Sequence, residues 1–435
     1  MSLNYTKLLI VIPTRNRADF AINAINSVLQ QEDCELEVIV SDNSTDDADV
    51  LELSNYCHQL ADKRLRYIRP LNPLTMTQHW DWAMRQALQI SSANHIAYLT
   101  DRTLFAKNCL QNLQSILQKY PAKIVSYSFD SIDDSVFPIS VSQITYSGKL
   151  FEIQSASILE IYAEMERIHA LPKMLNSVVP RELAATVLEK YGNCFFSMSP
   201  DYNFAFRCLD LEASILFYDR PLFISYGNDR SNGWNVLQGN FQKDALDFIK
   251  NLDSTDVCFD TPIKDMWVLP NPIIHEYCYA KLLDVAHKFP EINQTKYLVS
   301  LVENVVLYKN EKMRAEMLKK LHSRLGFNLP KYRAQAFLER KFKGLKIRLH
   351  NAINSQSPYL LINKFENVEE AIKCATESPR KPMSDCKFME ERTGAKSSDE
   401  SAVTLLEDFP ESALPLEQHN LPLSEIKLSS SQSSG

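Results

Sequence analysis

The sequence feature that most constrains the fold is an uninterrupted apolar segment near the amino terminus, Leu8 to Ile12. A run without polar alternation is typical of a strand buried on both faces of a parallel sheet. Because proline cannot donate a backbone hydrogen bond inside a sheet, we expect this strand to stop at Pro13. A second apolar segment, Val38 to Ser41, ends in Asp42 and predicts a second strand of the same kind.

Polar residues follow both predicted strands at the point where each strand ends. Thr14 to Arg17 come after the first strand, and Asp42 comes after the second. Parallel strands present their carboxyl ends at one edge of the sheet, where open α/β sheets bind their ligands. The sequence therefore predicts a ligand site that both strand ends help to form.

Strand and helix patterns alternate from residue 7 to about residue 130, which is typical of an α/β fold. We expect Pro200 in the first turn of a later helix, with Ser199 as its cap. A helix is predicted after Asp19, through Leu29, and another is marked by Leu110 to Leu117. The other predicted helices cover residues 46–60, 77–90, 158–168 and 181–190, and the other predicted strands cover residues 64–69, 95–99, 124–127, 143–146, 215–218 and 222–225.

The motifs around the first two strands resemble those of the family 2 glycosyltransferases. The resemblance is carried by Pro-Thr-Arg-Asn-Arg at 13–17, Ser-Val-Leu-Gln-Gln at 27–31, and Val-Ile-Val-Ser-Asp-Asn-Ser-Thr-Asp at 38–46. It extends over residues 5 to about 235. It implies the GT-A fold, a Rossmann-like α/β fold with a mostly parallel central sheet, and a nucleotide-sugar donor. The alternative is a generic Rossmann-like βαβ unit with ordinary polar turns.

The resemblance places the nucleoside of the donor at the edge formed by Pro13, Thr14, Arg15 and Asp42. A carboxylate at a strand end can accept a hydrogen bond from an N–H group of uracil or another base. The implied donor is a nucleoside-diphosphate sugar carrying UDP or GDP. The alternative for Asp42 is an aspartate that caps its own turn.

The next strand end departs from the family pattern, in which an Asp-x-Asp motif binds a cation that bridges the donor phosphates. Thr100, Asp101 and Arg102 occupy the three positions here. One carboxylate beside a guanidinium is a poor site for Mg²⁺ or Mn²⁺, whereas a guanidinium matches phosphate oxygens well. We therefore expect Asp101 to contact ribose, Arg102 to contact the diphosphate, and metal dependence to be weak or absent. The alternative is that the departure from the motif reflects a loss of catalytic activity.

The resemblance assigns the catalytic base to Asp201, at the start of a helix. Pro200 stands where the family usually has the glutamate of a Glu-Asp pair. A carboxylate there can take the acceptor's proton during an in-line attack that inverts the anomeric centre. The alternative for Asp201 is an acid that only stabilises the helix dipole. The loop Asn228 to Arg230 either closes over phosphate or is an exposed turn.

The chain divides into three predicted regions: a catalytic domain at 1–240, a helical extension at 241–374, and a Ser-rich tail at 375–435 that we expect to be disordered. Residues 312–348 carry twelve Lys or Arg against Glu316 and Glu339, a net charge of +10. Apolar residues are interleaved with these charges. The segment is either a solvated helical face or a basic amphipathic surface that docks on anionic lipid head groups.

Composition excludes several other classes of protein. The formal net charge of −7 argues against a nucleic-acid partner. The nine cysteines are dispersed without a Cys-x-x-Cys pair, which favours reduced thiols in a cytoplasmic protein. No apolar run approaches the roughly 20 residues of a membrane span, so we expect a soluble protein that at most binds peripherally at the inner face of the membrane.

These observations predict an inverting glycosyltransferase that moves a sugar to a glycan or lipid-linked acceptor in polysaccharide or glycoconjugate synthesis. One alternative is a sugar nucleotidyltransferase, but the first turn lacks the glycines that such enzymes usually carry there. The other alternative is a catalytically inactive partner protein that binds a nucleotide sugar, which the arginine at position 102 favours.

Overall fold

A computed structural model of the chain describes residues 6–32, 34–231, 260–284, 287–308, 310–353, 360–378, 382, 392–393 and 402–408. These residues form a 12-stranded sheet, covered by helices and followed by a helical region. The strands are β1 (Leu8–Thr14), β2 (Leu36–Asp42), β3 (Leu65–Ile68), β4 (His95–Tyr98), β5 (Thr103–Phe105), β6 (Val125–Asp133), β7 (Ile139–Ile144), β8 (Lys149–Gln154), β9 (Ser177–Pro180), β10 (Ser214–Ser225), β11 (Leu360–Phe365) and β12 (Val403–Asp408).

The α-helices are α1 (Ala18–Leu29), α2 (Asp47–Leu60), α3 (Met76–Ile90), α4 (Leu110–Lys119), α5 (Ser155–Ala163), α6 (Arg181–Tyr191), α7 (Pro200–Leu211), α8 (Pro270–Leu282), α9 (Gln294–Val306), α10 (Glu311–Leu325), α11 (Leu329–Ile353) and α12 (Val368–Glu377). Among the described elements, the α-helices alternate with the strands from β1 to β4, and four helices, α8 to α11, follow one another after β10. Asp46 caps α2 by accepting a 3.0 Å hydrogen bond from the Ala48 amide, as acidic residues before a helix do.

The strand order is β12-β8-β10-β6-β9-β4-β1-β2-β3. Neighbouring strands run parallel in the pairs β1–β2, β2–β3, β1–β4 and β6–β10. Strand β9 lies antiparallel between β4 and β6. The prediction of an α/β fold with a mostly parallel central sheet is confirmed, and this is the sheet expected of a GT-A fold.

The first strand does not stop at Pro13, because β1 continues to Thr14 and Pro13 pairs with Ser41 of β2. The pairing of β1 with its other neighbour, β4, ends two residues earlier, at Val11. Pro13 therefore lies where the strand has a paired neighbour on one side only. A proline without an N–H is tolerated at such an edge position, which is why the expected stop at Pro13 was wrong.

The sheet separates two hydrophobic cores, and successive residues of β1 point alternately into them. Leu9 and Val11 belong to one core, with Trp80 and Met84 of α3, and both β1 side chains are fully buried. Leu8, Ile10 and Ile12 belong to the other core, which also contains the apolar face of α1. Burial on both faces explains why the sequence of β1 is apolar throughout rather than alternating.

Several element boundaries differ from those predicted. Strand β10 is continuous from Ser214 to Ser225 where two short strands were expected, with register shifts on either side of Pro221. Helix α5 begins at Ser155 and ends at Ala163, earlier than predicted. Strands β11 and β12 pair with β7 and β8, although the sequence predicted helices and a disordered tail for these regions. Most of the tail lies outside the described residues.

A third core holds the helical region together. Tyr297, Leu301 and Val305 of α9 are buried in it, with Leu321 of α10 and Leu329 of α11. Among the helices that the structure describes, none is both long and apolar enough to cross a membrane.

Candidate active site

The carboxyl ends of β1 and β2 meet in register, with Thr14 opposite Asp42. The backbone continues this junction, because the Asn43 amide donates a 2.9 Å hydrogen bond to the Thr14 carbonyl. The Asn16 amide donates to the Ser44 hydroxyl at 2.8 Å, and Asn16 adopts a left-handed φ of 54°. The predicted edge with polar groups from both strands is confirmed as a structural feature.

Asp42 is fully buried at this edge, and both of its carboxylate oxygens accept hydrogen bonds. The Ser44 amide donates to Oδ1 at 2.8 Å, and the Tyr67 hydroxyl donates to Oδ2 at 2.6 Å. Burial and the bond to Asp42 raise the pKa of Tyr67, so its hydroxyl keeps its proton. The hydrogen bond from the Ser44 amide shows that Asp42 caps its own turn, which was the alternative role considered for this residue. Each oxygen has a further lone pair, so the cap does not prevent binding of a base N–H.

Asp101 joins the end of β4 to the turn after β1. Its Oδ2 accepts a 2.9 Å hydrogen bond from the Thr14 hydroxyl and lies 3.0 Å from Nε of Arg17. Asp101 is 1% exposed. Thr14, Asp42 and Asp101 are therefore neighbours at one edge of the sheet, and Arg17 joins them although it was not among the predicted site residues.

Arg15 and Arg102 point in different directions from this cluster. Nη1 of Arg15 donates a 2.9 Å hydrogen bond to the Leu74 carbonyl, on the segment before α3. Nη1 of Arg102 donates to the carbonyls of Tyr226 and Gly227, at 3.1 and 3.0 Å. Burial, together with nearby Arg17, lowers the pKa of Arg102 to about 10, which keeps the guanidinium charged near neutral pH.

The loop after β10 closes against the turn after β1. Asp134 fixes this loop by accepting hydrogen bonds from the amides of Gly227 and Asn228, at 2.8 and 2.9 Å. Nη2 of Arg230 donates to the Asn16 carbonyl at 3.0 Å, and Nη1 of Arg17 donates to the Arg230 carbonyl at 2.9 Å. The described part of this loop is therefore bound to the candidate site, and its continuation to Gly233 lies outside the described residues.

Glycine is required at position 227 for two separate reasons. Its φ of +67° lies in the left-handed region, and a Cβ atom there would lie 2.4 Å from Cε1 of Phe20. The backbone of the loop can approach α1 this closely only without a side chain.

Asp201 lies in the first turn of α7, directly after Pro200, as predicted. Burial raises the pKa of Asp201, and the nearby Lys173 opposes that rise. The Lys173 ammonium lies over the rings of Tyr202 and Phe129, 5.1 and 5.7 Å from their centres. The raised pKa makes this carboxylate a stronger proton acceptor than an exposed one, and a general base has to accept a proton.

The turn before α7 is held by Glu276 of α8, which replaces the expected cap at Ser199. The Ser199 side chain makes no capping hydrogen bond. Instead, Oε1 of Glu276 accepts from the amides of Ser199 and Met198, at 2.9 and 3.2 Å, and Oε2 accepts from Nδ2 of Asn203 at 2.9 Å. Burial raises the pKa of Glu276 to about 8.

His275, the residue before Glu276, binds the same turn. The Asp260 amide donates to its Nδ1 at 2.8 Å, which leaves Nε2 as the donor to the Ser197 hydroxyl at 2.8 Å. Ser197 has a left-handed φ of 66°, a strained conformation for a residue other than glycine. Two consecutive residues of α8 thus fix the turn that carries Asp201. The family resemblance ends at about residue 235 and therefore does not include this helical region.

Within the described residues, no hydrogen bond or ion pair joins Asp201 to Thr14, Asp42 or Asp101. The two parts of the candidate site are connected through α3, because the Thr77 hydroxyl donates a 2.7 Å hydrogen bond to the Ser197 carbonyl. The sequence motifs therefore identify two separate groups of residues, and their connection is visible only in the fold.

The residues at the β4 end do not fit a divalent cation. Asp101 already pairs with Arg17 through one oxygen, and Arg102 occupies the position next to it. Across the described residues, no group of three or more His, Cys, Asp or Glu side chains is arranged to hold a metal ion. Mg²⁺ and Ca²⁺ require several oxygen ligands, and this edge offers guanidinium groups in their place.

Comparison with known proteins shows which family the amino-terminal part of the chain resembles. Residues 9–170 match the model of glycosyl transferase family 2. An uncharacterized glycosyltransferase of Rickettsia bellii is 30% identical over 151 residues, which are 34% of this chain and 21% of that protein. An uncharacterized glycosyltransferase of Rickettsia felis is also 30% identical over 151 residues, or 34% of this chain and 24% of that protein. The matching segment thus spans about a quarter or less of these curated relatives.

Solved structures of S. aureus TarS residues 1–349 are also similar to this chain. The complex with UDP-GlcNAc is 13% identical, with a TM-score of 0.40, and the alignment covers 77% of this chain and 92% of that one. The complex with UDP has the same identity and TM-score and covers 91% of that chain. What connects the chain to glycosyl transferase family 2 is the match of residues 9–170 to the model of that family.

Proposed function

We propose that this protein transfers a sugar from a nucleoside-diphosphate sugar to an acceptor hydroxyl, with inversion at the anomeric carbon. The observation that carries the proposal is the meeting of Thr14, Asp42 and Asp101 at the carboxyl edge of three parallel strands. Open α/β sheets bind ligands at this edge. The family match over residues 9–170 supports a glycosyl donor as the ligand.

The nucleoside of the donor would bind beside β1 and β2. Asp42 would accept an N–H group of uracil or guanine, because it is an ionisable acceptor held rigidly by Tyr67 and the Ser44 amide. Pro13, Thr14 and Arg15 would contact the nucleoside from the adjacent strand end. A UDP-sugar and a GDP-sugar are both consistent with this acceptor.

The diphosphate would bind to guanidinium groups rather than to a metal ion. Arg17 lies beside Asp101, and Arg102 lies close enough to Arg17 to have its pKa lowered by it. Arg230 is tied to the turn after β1, so it too lies near this edge. In our proposal Asp101 contacts the ribose and Arg102 contacts the diphosphate, whose charge bidentate guanidinium contacts neutralise well.

Asp201 would act as the general base in the transfer step. Its carboxylate takes the proton of the acceptor hydroxyl while that oxygen forms a bond to the anomeric carbon. The bond from the anomeric carbon to the β-phosphate oxygen breaks, and the nucleoside diphosphate leaves with the electron pair. Attack from the side opposite the leaving group inverts the anomeric centre.

The acceptor would be a glycan or a lipid-linked sugar in polysaccharide or glycoconjugate synthesis, at a cytoplasmic site. Lys173 lies near Asp201, where the acceptor would bind, and its ammonium lies over the rings of Tyr202 and Phe129. An ammonium there suits an acceptor that carries an anionic group, such as the phosphate of a lipid-linked sugar.

A substitution of Asp201 tests the proposal against its helix-dipole alternative. We expect Asp201→Asn to slow nucleoside-diphosphate release from UDP- or GDP-sugars by about 10² to 10⁴-fold, the usual contribution of a general base, with donor binding retained. The matched control is Asp47→Asn, because Asp47 is an exposed carboxylate in the first turn of α2. Equal and small effects of both substitutions on a demonstrated transfer rate would refute the assignment of the base.

One observation favours a second candidate, a protein that binds a nucleotide sugar without turning it over. Arg102 donates hydrogen bonds to two carbonyls of its own chain and stands at the family's metal-binding position. That candidate predicts donor binding that survives Asp201→Asn and no nucleoside-diphosphate release from the unsubstituted protein with any donor.

A further inference from the structure

The apolar side chains of α11 are buried in the amino-terminal half of the helix and exposed in its carboxyl-terminal half. Leu329 and Ala336 are 6% and 5% exposed. Leu329 belongs to the third core, and Tyr332 packs against it. From residue 337 onward, the apolar side chains whose exposure is described are all exposed. They are Phe337, Leu338, Phe342, Leu345 and Leu349, at 51, 52, 66, 52 and 52%.

Four of these residues form one stripe along the helix. Leu338, Phe342, Leu345 and Leu349 are separated by four, three and four positions, the spacing that places side chains on one face of an α-helix. We call this stripe the α11 seam. An exposed apolar stripe of this length marks a surface that another apolar phase covers.

The helix that carries the α11 seam is strongly basic. Residues 329–353 contain seven Lys or Arg and one acid, Glu339, which gives a net charge of +6. Arg340 and Lys341 lie over the ring of Phe337, at 6.0 and 5.4 Å from its centre. Arg348 is exposed further along the same helix. Apolar side chains and cationic groups are thus presented together.

The amphipathic surface is shorter than the segment 312–348 over which the sequence allowed it. Helix α10 contributes Met317 and Leu321, but these are only 6% and 0% exposed. Leu318 and Leu325 of the same helix pack against the third core. Its apolar residues therefore hold the helical region together. Among the described residues of the segment, the exposed apolar side chains are those of α11 and of Phe327, in the turn just before it.

We propose that the α11 seam docks on an anionic lipid bilayer. A basic amphipathic helix lies in the membrane interface with its apolar face at the headgroup boundary and its cations at the lipid phosphates. A second copy of this chain is a poorer occupant, because it would bring together two helices that each carry +6. The inference does not depend on catalysis. If the proposed transfer also holds, membrane docking brings the enzyme to a lipid-linked acceptor.

Vesicle flotation of the full chain tests the proposal without any activity measurement. The probes are phosphatidylcholine vesicles with and without phosphatidylglycerol. We expect flotation only with the anionic vesicles, and less of it at high salt. Each basic residue near an anionic surface changes the partition coefficient about five-fold, so the double variant Arg340→Glu, Lys341→Glu should lower it by at least about 25-fold.

A second double variant, Phe342→Asp with Leu345→Asp, removes the apolar contribution of the α11 seam to membrane binding. It should also abolish flotation. Its control is Leu51→Asp with Leu282→Asp, because these side chains are 62% and 73% exposed on other helices. All four positions are exposed, so circular dichroism should show an unchanged fold. We expect the control to float like the unsubstituted chain.

Several outcomes would overturn the proposal. The first is an unsubstituted chain that does not float, or that floats equally well with phosphatidylcholine alone. The second is flotation that survives both seam variants. A lipid-free dimer that Phe342→Asp with Leu345→Asp dissociates would assign the α11 seam to a second copy. Equal binding to soluble polyglutamate and to vesicles, unaffected by that variant, would show a purely electrostatic surface.

Discussion

Replacing Glu276 with glutamine should make the protein more stable at alkaline pH, although Glu276 accepts three hydrogen bonds. The carboxyl group is fully buried, and burial raises its pKa from 4.5 to about 8. Oδ1 of Asn203 is buried without a hydrogen-bond partner. If the Asn203 amide is turned over, that oxygen can accept from a protonated Oε2, or from the amide nitrogen of a glutamine at the same place.

The size of the effect follows from the two pKa values. Below pH 4.5 both the folded and the unfolded chain hold the proton, so Glu276 adds no pH dependence there. Between pH 4.5 and about 8 only the folded chain keeps it, and the free energy of unfolding falls by about 1.4 kcal/mol per pH unit. The loss amounts to about 5 kcal/mol and is complete above pH 8. A glutamine carries no titrating proton and removes this loss.

Denaturant unfolding of both proteins from pH 5 to pH 9 measures the difference. Glu276→Gln should match the unsubstituted protein near pH 5 and exceed its unfolding free energy by several kcal/mol at pH 9, since the pH dependence of all other groups cancels. Glu189→Gln, at an exposed position of α6, should show a difference that does not change with pH. The reasoning would be refuted if the difference in unfolding free energy between Glu276→Gln and the unsubstituted protein did not change with pH, or if the unsubstituted protein were the more stable one at high pH.

Two further predictions concern the loop after β10 and the acidic edge. Gly227→Ala should destabilise the protein by about 2–4 kcal/mol, because it adds a left-handed alanine and a Cβ that meets Phe20, whereas Gly192→Ala should cost only about 1 kcal/mol. Thermal unfolding compares the pair, and equal costs would contradict the close approach at Phe20. Tyr67→Phe should remove a hydrogen bond to a charged group, worth about 1.5–3 kcal/mol, and weaken nucleotide binding by freeing Asp42. Calorimetric titration with UDP and GDP checks this, and unchanged affinity with unchanged stability would contradict it.

The parts of the fold that the sequence predicts best are those with burial on both faces. The apolar runs of β1 and β2 identify them as buried parallel strands, because nothing else in an α/β protein requires such runs. The end of β1 was missed because a proline is excluded from a strand only where a neighbour needs its N–H group. The pairing of β1 with β4 ends before Pro13, and where it ends depends on the whole sheet rather than on the local sequence.

Strands at the sheet edge were the hardest to predict. Strand β11 pairs with β7, and Leu360 lies opposite Ile144, more than two hundred residues earlier in the chain. Strand β12 pairs with β8, so that residues 403–408 join the sheet from within a Ser-rich tail. Their short, partly polar sequences become strands only because an edge is available to them, and no local pattern reports that edge.

The candidate site shows the same division between local and nonlocal information. The motifs locate Thr14, Asp42, Asp101 and Asp201, because these positions follow predicted strands or begin a predicted helix. They do not locate Glu276, whose contribution depends on how α8 packs against α7. A signal was present, since Glu276 stands among apolar neighbours on the buried side of α8, where a carboxyl group requires a hydrogen-bonded partner.

The central claim is that this sheet edge binds a nucleoside diphosphate through side chains of the chain itself. Calorimetric titration of the full chain with UDP and with GDP, in EDTA and then in Mg²⁺ or Mn²⁺, tests it most directly. We predict that one of the two nucleotides binds in EDTA with little change on adding metal, and that Asp42→Asn weakens this binding while Asp47→Asn does not. Failure of both nucleotides to bind under every condition, or binding that Asp42→Asn leaves unchanged, would contradict the account.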